Sequence, residues 1–340
     1  MTDIALGRWP EISLMQARQE ARRRRKTLGL EPPRGYVLND AFKLWCGLKK
    51  GRIVSYADER RRLERYLIKP LGRRQIDEIS APLVITTVKH IEAEGHQATL
   101  KRVLMRTREI LDLAVCAGYI HHNPCERLSR VFAAPVVTPM PAPEWHELPN
   151  IMQVMKSAPV RMRILFLFST CSMLRPGENA KLKRSWIDGD ILTIPAKEMK
   201  MGRMHRVPLT VFMKQLLEAE LRLSPHPRGD VIFAAKQAGK HISTQTLAKY
   251  LHSTQLSGKL VAYGLRSMAR SWMADQEISF EVAEACLSHV AGSSVSRAYQ
   301  RSDFLTARVL VMTRWSTFIK RCAREADMLD GILETERDKI

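Results

Sequence analysis

The sequence predicts a mainly α chain with a small β-sheet, an α+β protein whose two helical lobes are joined by a proline-rich hinge. Three observations lead there. Apolar residues recur at helical spacing across residues 36–128. Prolines 135, 139, 141, 143 and 149 then interrupt any periodicity between 131 and 150. Beyond them the pattern is again mainly helical, with only three short runs of strand character. At 340 residues and 45% hydrophobic composition, the chain can bury two modest cores.

The elements follow from local chemistry. Ser13 is placed to cap a helix over Ala17–Thr27, which Gly29 and Pro32-Pro33 stop. Asn39 is expected to cap Asp40–Leu48, and Ser55-Tyr56-Ala57-Asp58 resembles a capping box opening a helix that ends at Pro70. Ser80 caps a third helix of this lobe. Leu100, Val103, Leu104, Leu111, Ala114 and Val115 form the apolar stripe of a fourth, ended near Gly118. In the second half Ile164–Phe168 reads as a buried helix. The runs 191–194, 206–209 and 231–233 read as short strands. These signals divide the chain into 1–34, a helical lobe over 35–130, a linker over 131–150, a second domain over 151–320 and a tail over 321–340. The tail is acidic, with Met328, Leu329, Ile332 and Leu333 at helical spacing, and reads either as a fraying helix or as a docking element.

The charge narrows the function. Fifty-five Lys and Arg against thirty-five Asp and Glu leave +20, spread as +11 over residues 1–134 and +9 over the remainder. Two basic halves about a hinge suggest a C-shaped clamp on double-stranded DNA. The cations expected to meet phosphate are the run Arg22, Arg23, Arg24, Arg25 and Lys26, together with Arg60, Arg61, Lys101, Arg102 and Arg106. No window approaches the roughly eighteen apolar residues of a bilayer crossing, and Met1–Glu20 lacks a signal pattern, so a cytoplasmic chain without a membrane partner is expected. The six cysteines show no Cys-x-x-Cys pair, which argues against a disulfide scaffold or a structural zinc.

Several chemistries fail on missing residues. Ala234–His241 lacks the first glycine and the Ser/Thr of a phosphate loop, and His146-Glu147 lacks a second histidine for zinc. No carboxylate cluster suggests a two-metal nuclease. What remains is an ordered set in the second half. Arg175 stands before Pro176 and Glu178, the latter able to hold its guanidinium. Lys200 lies at a hairpin turn, with Lys197 as the fallback. Tyr263 and Arg266 form Tyr-x-x-Arg. His289 follows, and Tyr299 comes ten residues later in Ala298-Tyr299-Gln300-Arg301-Ser302-Asp303.

This set resembles that of the tyrosine recombinases, specifically the phage-type integrases, and the resemblance spans nearly the whole chain. It implies an arm-site-binding remnant at 1–34, a core-site DNA-binding domain, a catalytic domain, a homotetramer on two DNA sites, DNA-bending accessory proteins, and a tail that docks on a neighbouring protomer. It also implies a bacterial, nucleoid-associated enzyme of a mobile element. Two fixed guanidiniums, Arg175 and Arg266, would pair with the non-bridging oxygens as charge builds at the scissile phosphate. Tyr299 would attack to give a 3′-phosphotyrosyl link, Lys200 would protonate the departing 5′ oxygen, and His289 would hydrogen-bond a phosphate oxygen. The linkage conserves the bond energy, so no cofactor, metal or ATP is expected.

Tyr263 departs from the family's His-x-x-Arg, and a phenol accepts a proton far less readily than an imidazole at neutral pH. Activity is expected, at a lower rate. The competing expectations are a DNA-relaxing enzyme of the same chemistry and a catalytically silent DNA-binding protein of integrase descent. Trp272 and Trp315 are expected to pack rather than to stack on bases.

Overall fold

The computed structural model describes residues 10–27, 35–134, 140–289 and 302–333. They fall into two compact units, divided between Val137 and Thr138.

In the first unit, helix α1 spans Leu14–Thr27. Ser13 caps it as expected: its Oγ accepts from the Gln16 N–H at 3.2 Å while Gln16 Oε1 accepts from the Ser13 N–H at 2.9 Å. The rest is built on α2 (Leu38–Lys49), α3 (Tyr56–Leu63), a π-helical stretch (Glu64–Ile68), the short α4 (Lys69–Leu71), α5 (Ala81–Ala93) and α6 (Gln97–Cys116). Asn39 is not the cap of α2. Val37 occupies that position, and Asp40 Oδ2 accepts its N–H at 3.2 Å. Nor does Pro70 end its helix. The chain passes through the π-helical turn just before it and stops only at Gly72, where an added Cβ would meet the Ile68 carbonyl oxygen at 2.5 Å. Ser80 does cap α5, accepting from the Leu83 N–H at 3.4 Å. Leu100, Val103, Leu104, Ile110, Leu111 and Ala114 of α6 face a core with Leu38, Trp45, Leu63, Leu67, Val84, Val88 and Ile91.

In the second unit the segment expected to be extended linker is helical from Trp145. A 3₁₀ turn (Trp145–Glu147) leads into α7 (Leu148–Met155), because Pro149 sits in a first turn where no N–H is required. Helix α8 (Val160–Ser172) is buried along Arg163–Ser172 and forms the centre of the domain. Around it lie α9 (Pro176–Ala180), α10 (Val211–Leu223), α11 (Thr246–His252), α12 (Gly264–Asp275), α13 (Phe280–Cys286) and α14 (Leu305–Glu325).

One antiparallel sheet runs β1 (Ile187–Asp188), β2 (Ile191–Ile194), β3 (His205–Pro208), with Ile194 opposite His205 and Ile191 opposite Pro208. The expected strand at 231–233 is absent. Val231 makes one isolated bridge to Lys183, while Ile232 and Phe233 are buried as irregular chain.

Trp315 and Trp272 pack with ring centroids 4.9 Å apart, and Trp315 Nε1 donates to the Thr170 carbonyl at 2.9 Å, so both are core residues as expected. Helix α14 continues to Glu325, past the expected start of a tail. Ala326, Met328 and Ile332 then join this domain's own core, held by Arg163, which donates to the carbonyls of Met328 (2.8 Å) and Asp330 (2.9 Å). Residues 334–340 lie outside the described residues.

Candidate active site

Helix α8 ends at Met173, a residue with φ 55°, so the chain reverses and Arg175 arrives in extended conformation as the N-cap of α9. Glu178 does what its spacing suggests: Oε1 accepts from Arg175 Nη1 and Oε2 from the Arg175 N–H, both at 2.9 Å. That fixes a largely buried guanidinium, with 14% of its side chain exposed.

Arg266 lies in the first turn of α12 and is almost fully buried. Its Nη1 donates to the Met173 carbonyl, and its Nη2 donates to the Leu287 carbonyl at 2.6 Å and reaches His289 Nε2 at 3.0 Å. One guanidinium therefore joins the ends of α8 and α13 to the imidazole. Burial, followed by the positive charge of Arg175, lowers its pKa to about 10, partly offset by Glu178, Tyr263 and Glu284. It stays a cation at neutral pH.

His289 follows Ser288, whose φ of 53° turns the chain after α13. Glu284 Oε2 lies 2.8 Å from His289 Nδ1, and Glu284 Oε1 accepts from Arg270 Nε at 2.9 Å. A guanidinium can only donate, so His289 Nε2 is the acceptor and Nδ1 carries the proton given to Glu284.

Tyr263 is half exposed at the N-cap of α12, and Lys200 is exposed in the turn between β2 and β3, as are Lys197 and Arg203. Tyr299 lies outside the described residues. The structure thus brings Arg175, Glu178, Arg266 and His289 together and places Tyr263 at their margin.

Three residues of this region had no role in the sequence reading. Glu284 is signalled only weakly, by an acidic residue one helical turn before His289. His205 is 94% buried by its 6% exposure, and its Nε2 has no partner. Burial, then the charges of Arg308, Arg266 and Arg175, pushes its pKa down to about 3, which keeps it neutral. Arg308 of α14 is also fully buried. Among the described residues no group of three His, Cys, Asp or Glu side chains is arranged to hold a metal ion.

The expected DNA contacts divide. Arg60, Arg61, Lys101 and Arg102 are exposed, although Arg60 is shared with Glu64 and Arg61 with Asp58. Arg106 turns inward. It is 15% exposed, donates to Glu109 at 2.7 Å and Glu59 at 3.4 Å, and lies over the Trp45 ring, so it is a scaffold residue rather than a surface cation. Arg23 is exposed on α1, and the side chains of Arg22, Arg24, Arg25 and Lys26 lie outside what is described.

Residues 144–305 match the Phage integrase family and residues 40–131 match the Phage integrase central domain. The prophage integrase IntA of Escherichia coli K12 is 32% identical over 283 residues, covering 81% of this chain and 68% of IntA. The chain belongs to the phage integrase family. The integrase of Enterobacteria phage P4 is 24% identical over 357 residues, 93% of this chain and 80% of that protein. A lambda integrase tetramer bound to a Holliday junction shares the fold with a TM-score of 0.64 at 18% identity, covering 88% of this chain and 89% of that one. The Tn1549 transposon integrase in complex with circular intermediate DNA gives 0.56 at 13% identity, over 81% and 99%. This integrase is accordingly a tyrosine-type site-specific DNA recombinase. No helix among its described residues is long and apolar enough to cross a membrane.

Proposed function

We propose that Tyr299 is the nucleophile of this recombinase and that Arg175, Arg266, His289, Lys200 and Tyr263 serve it. The phenol oxygen bonds to the scissile phosphorus as the bond to the 5′ oxygen breaks. Arg175 and Arg266 stabilise the charge on the non-bridging oxygens. Lys200, on its exposed turn, gives a proton to the leaving oxygen. His289, kept in one orientation by Glu284, takes the phenol proton at Nε2 once the substrate displaces Arg266, and the resulting imidazolium donates it to a phosphate oxygen. Tyr263, exposed beside Arg266, adds a further hydrogen bond in place of the usual imidazole. A 5′ hydroxyl from a second duplex then reverses the step, moving the strand without ATP.

The observation that carries this reading is the hydrogen bond from Arg266 to His289, made where the charge of Arg175 is also felt. The remaining assignments extend the likeness to the phage integrases. Residues 35–130 bind the core site, with Arg60, Arg61, Lys101 and Arg102 toward phosphate, and residues 1–34 supply an arm-site element around Arg22–Lys26. Residues 151–320 hold the chemistry, and the last residues of the tail dock in trans. The protein works as a tetramer on two double-stranded DNA sites, aided by DNA-bending proteins, on the bacterial nucleoid.

A nicked suicide duplex tests the proposal. It should trap a covalent adduct and, when offered a second duplex with a free 5′ hydroxyl, join to it. Relaxation of a supercoiled plasmid without such joining would instead mark a topoisomerase, and binding without any adduct would mark a silent descendant.

A further inference from the structure

The described chain resumes at Ser302, three residues after Tyr299, and its contacts there are made with β3. Oδ2 of Asp303 accepts from Arg206 Nε at 2.8 Å and from Arg206 Nη2 at 2.7 Å. Arg308, in the first turn of α14, lies beneath this pair with 1% exposure. Its Nη2 donates to the Arg206 carbonyl at 2.5 Å and its Nη1 to the Asp303 carbonyl at 3.4 Å. The thiol of Cys286, three residues before His289, lies against the same guanidinium. Arg206 is thus gripped by both its backbone and its side chain.

Two features argue that this arrangement is more than surface decoration. Burying a guanidinium while its Nε remains unpartnered is costly, and Arg308 tolerates that cost. Phe304, between the two contacts, holds φ at 53°, a conformation that a bulky residue keeps only when its surroundings impose it. An ion pair with both members about 40% exposed contributes little to stability by itself, so stability alone does not account for the elaboration.

Connectivity supplies a purpose. Asp303 follows Tyr299 by four residues, at most about 14 Å of extended backbone. Arg206 follows Lys200 by six residues, and Cys286 leads into His289. We infer that Arg206 and Asp303, seated on Arg308, are positioning residues that register the chain bearing the nucleophile against the strand bearing the general acid. This rests on the assignments of Tyr299 and Lys200 made above. A registry between nucleophile and acid governs the rate of cleavage rather than the affinity for DNA, since misplacement by an ångström is enough to slow a reaction markedly.

The test is single-turnover cleavage of the nicked duplex at saturating protein, alongside the dissociation constant from a gel shift. Asp303→Ala, Asp303→Asn and Arg206→Ala should each slow adduct formation tenfold or more with affinity changed less than twofold. The exchange of charges, Arg206→Asp with Asp303→Arg, should run at least fivefold faster than the slower single variant. Parental rates in the single variants would overturn the inference. So would a loss lying wholly in affinity, which would make Arg206 a phosphate contact, or a charge exchange no faster than its parts. Tyr299→Phe is run in parallel: an adduct surviving there refutes the nucleophile assignment and the registry with it, whereas loss of the adduct there with parental rates in the pair variants refutes the registry alone.

Discussion

Arg266 donates to His289 Nε2 at 3.0 Å, and the same imidazole is held from its other side by Glu284 at 2.8 Å. The ring therefore accepts at Nε2 and donates from Nδ1, and neither its rotation nor its tautomer is free. A phosphate entering the site must take over the position at Nε2, which then needs a proton to donate.

Glu284 is consequently an orienting residue. Glu284→Gln keeps the shape but removes the charge that supports a protonated imidazole, and it also weakens the hold of Arg270. Cleavage should fall by about ten- to a hundredfold, equivalent to about 1.4–2.7 kcal/mol of barrier, with DNA affinity unchanged. Single-turnover rates and binding isotherms on the same duplex check this.

His205 sets an acid-side dependence of stability. Its pKa of about 3 in the folded chain lies well below the usual 6.5, so between those values the unfolded chain holds a proton that the folded chain does not. Its contribution is fully present above about pH 6.5 and declines as pH falls toward 3, by about 2 kcal/mol at pH 5. Melting curves of the parent and His205→Gln between pH 7.5 and 5 should converge toward low pH. A constant gap would contradict the assignment.

Gly264 opens α12 where a Cβ would meet the Pro141 carbonyl oxygen at 2.7 Å and Leu260 Cδ1 at 3.1 Å. Gly264→Ala must push residues 141–142 away from the helix that carries Arg266. A loss of about 1–3 kcal/mol is expected, read as a lower denaturant midpoint. A midpoint equal to that of the parent would show that this contact yields freely.

Two arginines on α6, four residues apart, should respond differently. Arg102 is exposed, and Arg102→Ala should weaken DNA binding and lower the salt dependence of log K by about 0.9. Arg106→Ala removes one partner from Glu59, which keeps Arg62, and one from Glu109, which keeps Trp45 and Lys49, and should cost about 1–2 kcal/mol of stability while leaving that salt dependence intact.

That contrast shows how far the sequence could be read. The stripe of α6, the caps at Ser13 and Ser80 and the Arg175–Glu178 pair depend on residues three or four apart, so local spacing reveals them. Arg106 and Arg102 look alike along the chain. Arg106 has Glu109 one turn on at 2.7 Å, but Glu59, 47 positions away, and the Trp45 ring complete the enclosure that holds it inward. Arg308 resembles the surface cations of α14 until β3 packs over it. His205 is one residue in an ordinary alternation, and its isolation among arginines arises from three separate elements. The apolar run 231–233 is too short for periodicity to separate a strand from buried irregular chain. Pro149 reads as a linker residue because a proline breaks the periodicity in the same way in extended chain as in the first turn of a helix, where the structure places it.

Under the proposed mechanism Tyr299 becomes joined to DNA among Arg175, Arg266 and His289. Digesting the adduct trapped on a nicked duplex and identifying the modified peptide by mass checks this. The expected product is a 3′-phosphoryl link on Tyr299 that disappears in Tyr299→Phe, with DNA binding retained. A link on another residue, or attachment through the 5′ phosphate, would contradict it.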